Sequence, residues 1–106
     1  MQTTERQNVL PLEGEIDLHV SPRLKRSLAS MIRKRPERLV VDLSGVTFID
    51  SSGLAVLIHA MQDVKEYGGK LTLAGLNDNV RSIFETARLD QVFLIDPGEG
   101  RLFAAD

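Results

Sequence analysis

The string Asp50-Ser51-Ser52-Gly53-Leu54 is the part of the sequence that is best suited to chemistry. It stands where an apolar stretch gives way to a run with helical periodicity, so it falls at a helix N-terminus. Free main-chain N–H groups and the positive end of the helix dipole point there, and they would receive a phosphate on Ser51 or Ser52. Gly53 lets the main chain approach closely. Asp50 could accept the hydroxyl proton, coordinate a metal brought by a kinase, or orient the serine.

Plain helix capping explains the same residues, because Asp and Ser are favoured caps. From the residues alone, an N-cap made by Asp50, Ser51 or Ser52 and a phosphate-accepting loop are both open interpretations.

Other kinds of chemistry find little support. The chain has no cysteine, which removes disulfides, zinc fingers, iron–sulfur ligation and thiol catalysis. A serine hydrolase needs a base, but the Gly-x-Ser-x-Gly motif is absent and only His19 and His59 are available. We expect His59 to lie in mid-helix, partly buried and two turns from the serines. Gly68-Gly69-Lys70 matches part of a P-loop, but Leu71 and a strand follow it. We therefore expect no enzyme activity, no catalytic residue, no metal and no cofactor.

Composition and charge set the class of protein. The chain has 106 residues, of which 42% are hydrophobic and 26% charged, as expected for one globular domain over residues 1–106. No apolar stretch approaches the roughly 18–20 residues of a membrane span, and Met1–Asn8 is polar, without the apolar core of a signal peptide. We expect a cytoplasmic protein that does not insert into membranes. The net charge of -2 gives no basic field for direct nucleic acid binding.

One short segment is rich in basic residues, with Glu37 as the single acid. Its basic members are Arg23, Lys25, Arg26, Arg33, Lys34, Arg35 and Arg38. The pattern is typical of the solvated face of a helix. A docking patch for an acidic partner or an anionic surface is the alternative.

Hydrophobic periodicity predicts strands that alternate with helices. Pro11 lies in the first strand and indicates an edge position or a break. Ser21 is expected to cap the first helix, with Pro22 at its first position and Pro36 as its end, and Asn77 or Asp78 to cap the third. The predicted strands are Val9–Leu18, Leu39–Leu43, Lys70–Gly75 and Gln91–Ile95, and Ser44–Ile49 is predicted to be a connection. The second helix is predicted over Ser52–Tyr67, and Gly68-Gly69 is expected to end it. The final residues are predicted to form at most a helical turn.

This alternation implies parallel pairing through right-handed crossovers. The predicted strands carry their large residues on one face only. We therefore expect an α/β fold, with a mixed, mostly parallel sheet of four to five strands and helices mainly on one face.

Several strings, in order and in register, resemble the STAS domain family. Asp50-Ser51-Ser52-Gly53-Leu54 is similar to its serine signature, and Leu12-Glu13-Gly14-Glu15-Ile16-Asp17 to its N-terminal strand signature. Further similar segments are Leu39–Ser44, Tyr67–Leu71 and Val80–Leu89. The resemblance covers nearly the whole chain and is of the anti-sigma factor antagonist type.

The resemblance implies a partner switch. Such domains bind an anti-sigma factor that is also an ATP-dependent serine kinase, and binding releases the sigma factor. The kinase phosphorylates the serine after the motif aspartate, and a PP2C-type phosphatase reverses the reaction. Carried over, Ser51 is the phosphoacceptor, Asp17 and Asp50 are the acids beside it, and Ser52, Gly53 and Leu54 complete the phosphosite loop and partner surface.

The same fold also serves in other roles. Some small STAS proteins that resemble this chain are subunits of ABC-type lipid transport complexes, or scaffolds in other signalling assemblies. These roles need the same surface but do not necessarily use the phosphate switch, and a shared fold does not decide between them.

Overall fold

The computed structural model describes residues 7–96 of the chain. Strands and helices alternate in the order β1 (Gln7–Ile16), α1 (Ser21–Ile32), β2 (Arg38–Ile49), α2 (Ser51–Glu66), β3 (Lys70–Ala74), α3 (Asp78–Thr86) and β4 (Leu94–Ile95). The described strands form one sheet in the order β1-β2-β3-β4, and every neighbouring pair is parallel. Each helix is therefore a crossover between adjacent parallel strands.

The core lies on one face of this sheet. Alternate residues of β2 and β3 share a hydrophobic cluster with the buried residues of all three helices, so the helices cover the same face. The members from the two strands are Leu39, Val41, Leu43, Val46, Ile49, Leu71 and Leu73, and those from the helices are Leu24, Leu28, Leu57, Ala60, Val64, Val80 and Phe84. The predicted α/β fold with helices on one face is confirmed, with four parallel strands in the described part.

In the sheet that residues 7–96 form, β1 is an edge strand, which is one of the two interpretations that Pro11 allowed. Pro11 is exposed, and the register with β2 shifts between Pro11 and Glu13. The strand ends at Ile16, two residues before the predicted end. The chain turns there because the main-chain oxygen of Asp17 accepts from the N–H groups of Val20 (3.0 Å) and Ser21 (2.9 Å).

The predicted connection Ser44–Ile49 is wrong, because β2 continues through it to Ile49. Beyond Asp42 the strand leaves β3 and pairs with β1 alone. The register shifts again around Thr47, so two exposed residues separate the buried Val46 and Ile49. Such a bulge breaks the period-two pattern by which a strand is recognised in a sequence.

The first helix also departs from its predicted ends. Its N-cap is Val20, whose side chain makes no capping hydrogen bond, and Ser21 is already helical. The helix ends at Ile32, before Pro36. Pro36 instead accepts, through its main-chain oxygen, a 2.9 Å hydrogen bond from the Tyr67 hydroxyl.

The remaining helix and strand boundaries lie closer to their predicted positions. α2 begins at Ser51, and Gly68 follows its end with a φ of 87°, as expected for a glycine stop. Asn77 caps α3 by accepting from the N–H of Val80 at 2.9 Å. β4 is shorter than predicted and starts at Leu94. The predicted C-terminal turn lies outside the described residues.

Within residues 7–96, no helix has both the length and the apolar character that crossing a membrane requires.

Substitution of Phe84 tests the packing of this core. This residue is fully buried on α3 and packs edge-on against Phe93, with 5.7 Å between ring centroids. Phe84→Ala should lower the free energy of unfolding by about 3–5 kcal/mol, measured by urea denaturation. Phe48→Ala is the matched control, because that ring is 43% exposed and its loss should cost far less. Equal losses in the two variants would contradict this packing.

Candidate functional site

α2 begins with a cap that the aspartate of the serine string supplies. Asp50 has extended main-chain geometry, and its Oδ1 accepts from the N–H of Ser52 at 2.9 Å and of Gly53 at 3.1 Å. The Ser52 hydroxyl donates to the same oxygen at 2.6 Å. One carboxylate oxygen thus takes three donors from the first turn of α2.

These donors keep Asp50 ionised. The hydrogen bond from the Ser52 side chain, followed by that from the Gly53 N–H, lowers the pKa of the Asp50 carboxyl below its ordinary 3.8, and desolvation opposes them only in part. The main-chain N–H groups of Ser52 and Leu18 act in the same direction. At neutral pH the loop therefore carries a fixed negative charge beside Ser51.

The two serines differ in their surroundings. Ser51 is exposed at the first position of α2. Ser52 is half-buried, and its Oγ lies 2.6 Å from Asp50 Oδ1 and 2.7 Å from the Oγ of Ser21 on α1. The exposed hydroxyl is therefore the one that an incoming reagent can reach without breaking the cap.

Gly53 is required by the packing under the loop. A Cβ at this position would lie 2.8 Å from Cγ2 of Ile16 and 2.9 Å from Cγ2 of Ile49, closer than real Cβ atoms approach. The glycine thus lets the start of α2 rest on the ends of β1 and β2. Leu54 follows it and packs against the core from a half-buried position.

The turn after β1 forms the second side of the site. Asp17 Oδ1 accepts from the N–H of His19 at 3.0 Å and of Val20 at 3.3 Å, so this carboxylate orders the turn. The main-chain N–H of Asp50 donates to the oxygen of Ile16 at 3.1 Å. The turn and the serine loop are thereby fastened to each other at the same end of the sheet.

Two grooves flank the start of α2. The larger one, of about 500 Å³, runs between α1 and α2 from Ser21 and Ser52 to Ile32 and Asp63. The other, of about 330 Å³, lies between α2 and α3 and has Ser51 and Leu54 on its wall. Consecutive serines thus face different grooves, because successive helix residues point about 100° apart.

The structure brings the predicted loop residues together, with Asp50, Ser51, Ser52, Gly53 and Leu54 in sequence and Asp17 in the adjoining turn. The Asp17 carboxylate orders its own turn, while its main-chain oxygen lies 2.9 Å from the Ser21 hydroxyl.

Sequence reasoning missed two residues of this site. Ser21 was assigned as a cap, yet it contacts Ser52 across 31 positions of sequence. Leu18 is 71% exposed in the turn after β1, and no signal in the sequence singled it out, because the alternating pattern placed it at the end of the predicted strand Val9–Leu18.

Two further expectations concern residues outside the loop. His59 is exposed rather than partly buried, on the wall of the α1–α2 groove. The basic residues of the segment 23–38 are all exposed, as a solvated face requires. Among the described residues, no group of three His, Cys, Asp or Glu side chains could hold a metal ion.

The chain belongs to the STAS domain family, whose model matches residues 1–102. It is 33% identical over 89 residues to the anti-sigma-B factor antagonist of Listeria monocytogenes, covering 84% of this chain and 78% of that protein. It is 27% identical over 92 residues to the anti-sigma F factor antagonist of Paenibacillus polymyxa, covering 86% of this chain and 79% of that protein.

Solved structures share the fold. The Thermotoga maritima protein tm1081 aligns with a TM-score of 0.85 at 19% identity, over 96% of this chain and 88% of that one. The phosphorylated form of the Bacillus cell fate determinant SpoIIAA aligns with a TM-score of 0.69 at 19% identity, over 97% and 94%. The STAS domain of a SulP transporter from Vibrio cholerae aligns with a TM-score of 0.69 at 25% identity, over 98% and 84%.

The cap predicts how Asp50 titrates. The pKa of Asp50 in the folded chain lies below the ordinary 3.8. Asp50 therefore makes its full contribution to the free energy of unfolding when the pH is above its pKa in the unfolded chain. This contribution is lost as the pH falls through the folded pKa. NMR titration of the carboxyl carbon should give a midpoint below that of the same residue in the urea-unfolded chain. In Ser52→Ala, which removes the strongest donor, the midpoint should move upward. A folded midpoint equal to the unfolded one would contradict the cap.

Proposed function

We propose that this chain is an anti-sigma factor antagonist, formed by a single STAS domain over residues 1–106. In this proposal it binds an anti-sigma factor that is also a serine kinase, and phosphorylation of Ser51 ends the interaction. The observation that carries the proposal is the exposed Ser51 hydroxyl at the start of α2, next to an ionised Asp50. The Listeria and Paenibacillus relatives, which are antagonists by name, support the same role.

The contacts of the loop favour Ser51 as the acceptor. Asp50 Oδ1 already takes three donors, so its role there is to orient the loop. The proton of Ser51 then leaves to a base outside this cap. Of the two serines, Ser51 alone is exposed and stands apart from the cap contacts of Asp50 Oδ1.

A phosphate on Ser51 would change the surface in two ways. It adds about -1.5 to -2 charges at pH 7, directly beside the ionised Asp50. It also competes for the N–H groups of Ser52 and Gly53 that Asp50 now holds. A partner that desolvates this surface would meet uncompensated charge, at a cost of a few kcal/mol, which is enough to reverse a choice between partners.

The proposed partner surface consists of Asp17, Asp50, Ser52, Gly53 and Leu54 around the acceptor Ser51. A PP2C-type phosphatase would remove the phosphate and restore binding. The chain itself would supply no catalytic group, and its role would be that of a regulated binding partner.

The second candidate is a STAS subunit of an ABC-type lipid transport complex or another scaffold. The similarity to the STAS domain of a SulP transporter favours this alternative, because that protein uses the same fold as one domain of a transporter. The partner that the chain binds discriminates between the two functions.

The switch predicts that Ser51→Asp and Ser51→Ala behave differently. As bait in lysate of the cells that encode the chain, wild type and Ser51→Ala should capture a small ATPase-kinase, whereas Ser51→Asp should lose it because of the added charge. Incubation with ATP should place phosphate on wild type and leave Ser51→Ala unmodified, as measured by mass spectrometry. Capture of a membrane transporter ATPase by all three baits would support the transport subunit instead.

Leu18 provides an apolar anchor beside the switch. Its side chain is 71% exposed, while its N–H helps to hold the Asp50 carboxylate. An exposed leucine offers apolar area that a partner can remove from water, and this burial favours binding. It lies in the turn that Asp17 orders, next to the charge that phosphorylation would alter.

Leu18→Ser should therefore weaken binding of the captured kinase about tenfold, measured by isothermal titration, with little change in the free energy of unfolding. Leu94→Ser is the matched control, because Leu94 is 52% exposed on β4, outside the serine loop and its adjoining turn. Equal affinities of the Leu18 and Leu94 variants would remove Leu18 from the partner surface.

A further inference from the structure

We propose that Ser21 is a positioning residue that confines phosphorylation to Ser51, because its hydroxyl engages the oxygen of the neighbouring Ser52. The inference rests on the proposed function and adds a determinant of which serine reacts. The loop offers two adjacent hydroxyls at one helix start, and the partner switch needs one of them.

The chemistry of transfer defines what must be free on the acceptor. A serine Oγ forms a bond to the γ-phosphorus of ATP held by the kinase, the bond from that phosphorus to the leaving ADP oxygen breaks, and the hydroxyl proton passes to a base. The acceptor oxygen therefore needs an unoccupied lone pair that is aimed at the phosphorus.

The contacts around Ser52 leave little of its oxygen unoccupied. Its Oγ lies 2.6 Å from Asp50 Oδ1 and 2.7 Å from Ser21 Oγ. Ser21 Oγ in turn lies 2.9 Å from the main-chain oxygen of Asp17. These three contacts share only two hydroxyl hydrogens, since each serine supplies one.

The acceptors decide where the hydrogens go. The Ser52 hydrogen belongs to Asp50, because an ionised carboxylate is the strongest acceptor present. The Asp17 oxygen already accepts from the N–H groups of Val20 and Ser21. The Ser21 hydroxyl donates to this oxygen as well, at 2.9 Å, and its 2.7 Å contact with the Ser52 hydroxyl can be donated from either side. In each of these arrangements the Ser21 oxygen lies directly against the Ser52 oxygen and leaves fewer free directions from which a phosphorus could approach it.

Burial makes this arrangement durable. Ser21 is 6% exposed, and it is the one polar side chain among the described residues that is buried. Ser21 and Ser52 both line the end of the α1–α2 groove, whereas Ser51 lines the α2–α3 groove. A buried hydroxyl on α1 thus covers one serine of the loop and leaves the other uncovered.

The experiment removes only the Ser21 oxygen. Wild type and Ser21→Ala are phosphorylated with ATP by the anti-sigma factor kinase that the wild-type bait captures, and tandem mass spectrometry measures the ratio of phosphate on Ser52 to phosphate on Ser51. This ratio should rise about fivefold in Ser21→Ala, the factor that corresponds to one net hydrogen bond. Ser30→Ala, an exposed serine of the same helix, should leave the ratio unchanged, and Ser21→Thr, which returns a hydroxyl, should bring it back towards wild type.

A loss of stability alone would not produce this result. In a Ser51→Ala background, Ser21→Ala should create phosphorylation at Ser52 that Ser51→Ala by itself does not show, with thermal unfolding confirming that both chains are folded. Without any kinase, the Ser52 hydroxyl proton should exchange with water faster in Ser21→Ala than in wild type, as measured by NMR.

The outcomes separate this inference from the function on which it rests. Phosphate on wild-type Ser51 with an unchanged ratio in Ser21→Ala would overturn the role of Ser21 and leave the switch standing. Absence of phosphate from wild-type Ser51 would overturn the proposed switch, and the role of Ser21 with it.

Discussion

The cap that Asp50 places on α2 is the interaction on which the site depends. A helix leaves its first N–H groups without partners, and a carboxylate at the N-cap satisfies them while its charge is stabilised by the helix dipole. Here one oxygen of Asp50 holds the N–H groups of Ser52 and Gly53 together with the Ser52 hydroxyl. This arrangement fixes a negative charge, ties down one serine and presents the other to solvent.

The cap is effective because the sheet beneath it is closely packed. α2 starts directly on the ends of β1 and β2, where Gly53 has no room for a Cβ beside Ile16 and Ile49. The bulged second half of β2 pairs with β1 alone and carries the chain to Asp50. The turn ordered by Asp17 then lies against the loop, so a local capping motif becomes one surface with parts from both strands.

In the proposed function this surface serves as a regulated binding site. Its groups include the exposed Ser51 and Leu18 and the ionised Asp50, and in the proposed function a phosphate would add about -1.5 to -2 charges beside that carboxylate. The fold supports it with helices on one face of a parallel sheet, and the chain shares this fold with SpoIIAA and with a transporter domain alike.

The sequence by itself determined the alternation of strands and helices, placed a helix start within residues 50–52, and left β1 with an edge position or a break. These features follow from local chemistry: hydrophobic periodicity, a proline without an N–H, and residues that cap helices. The extension of β2 through Ser44–Ile49 was decided by pairing with β1, since a bulge hides the strand from any periodic pattern. The contact of Ser21 with Ser52 also belongs to the tertiary structure, because it joins residues 31 positions apart that meet only when α1 and α2 pack side by side.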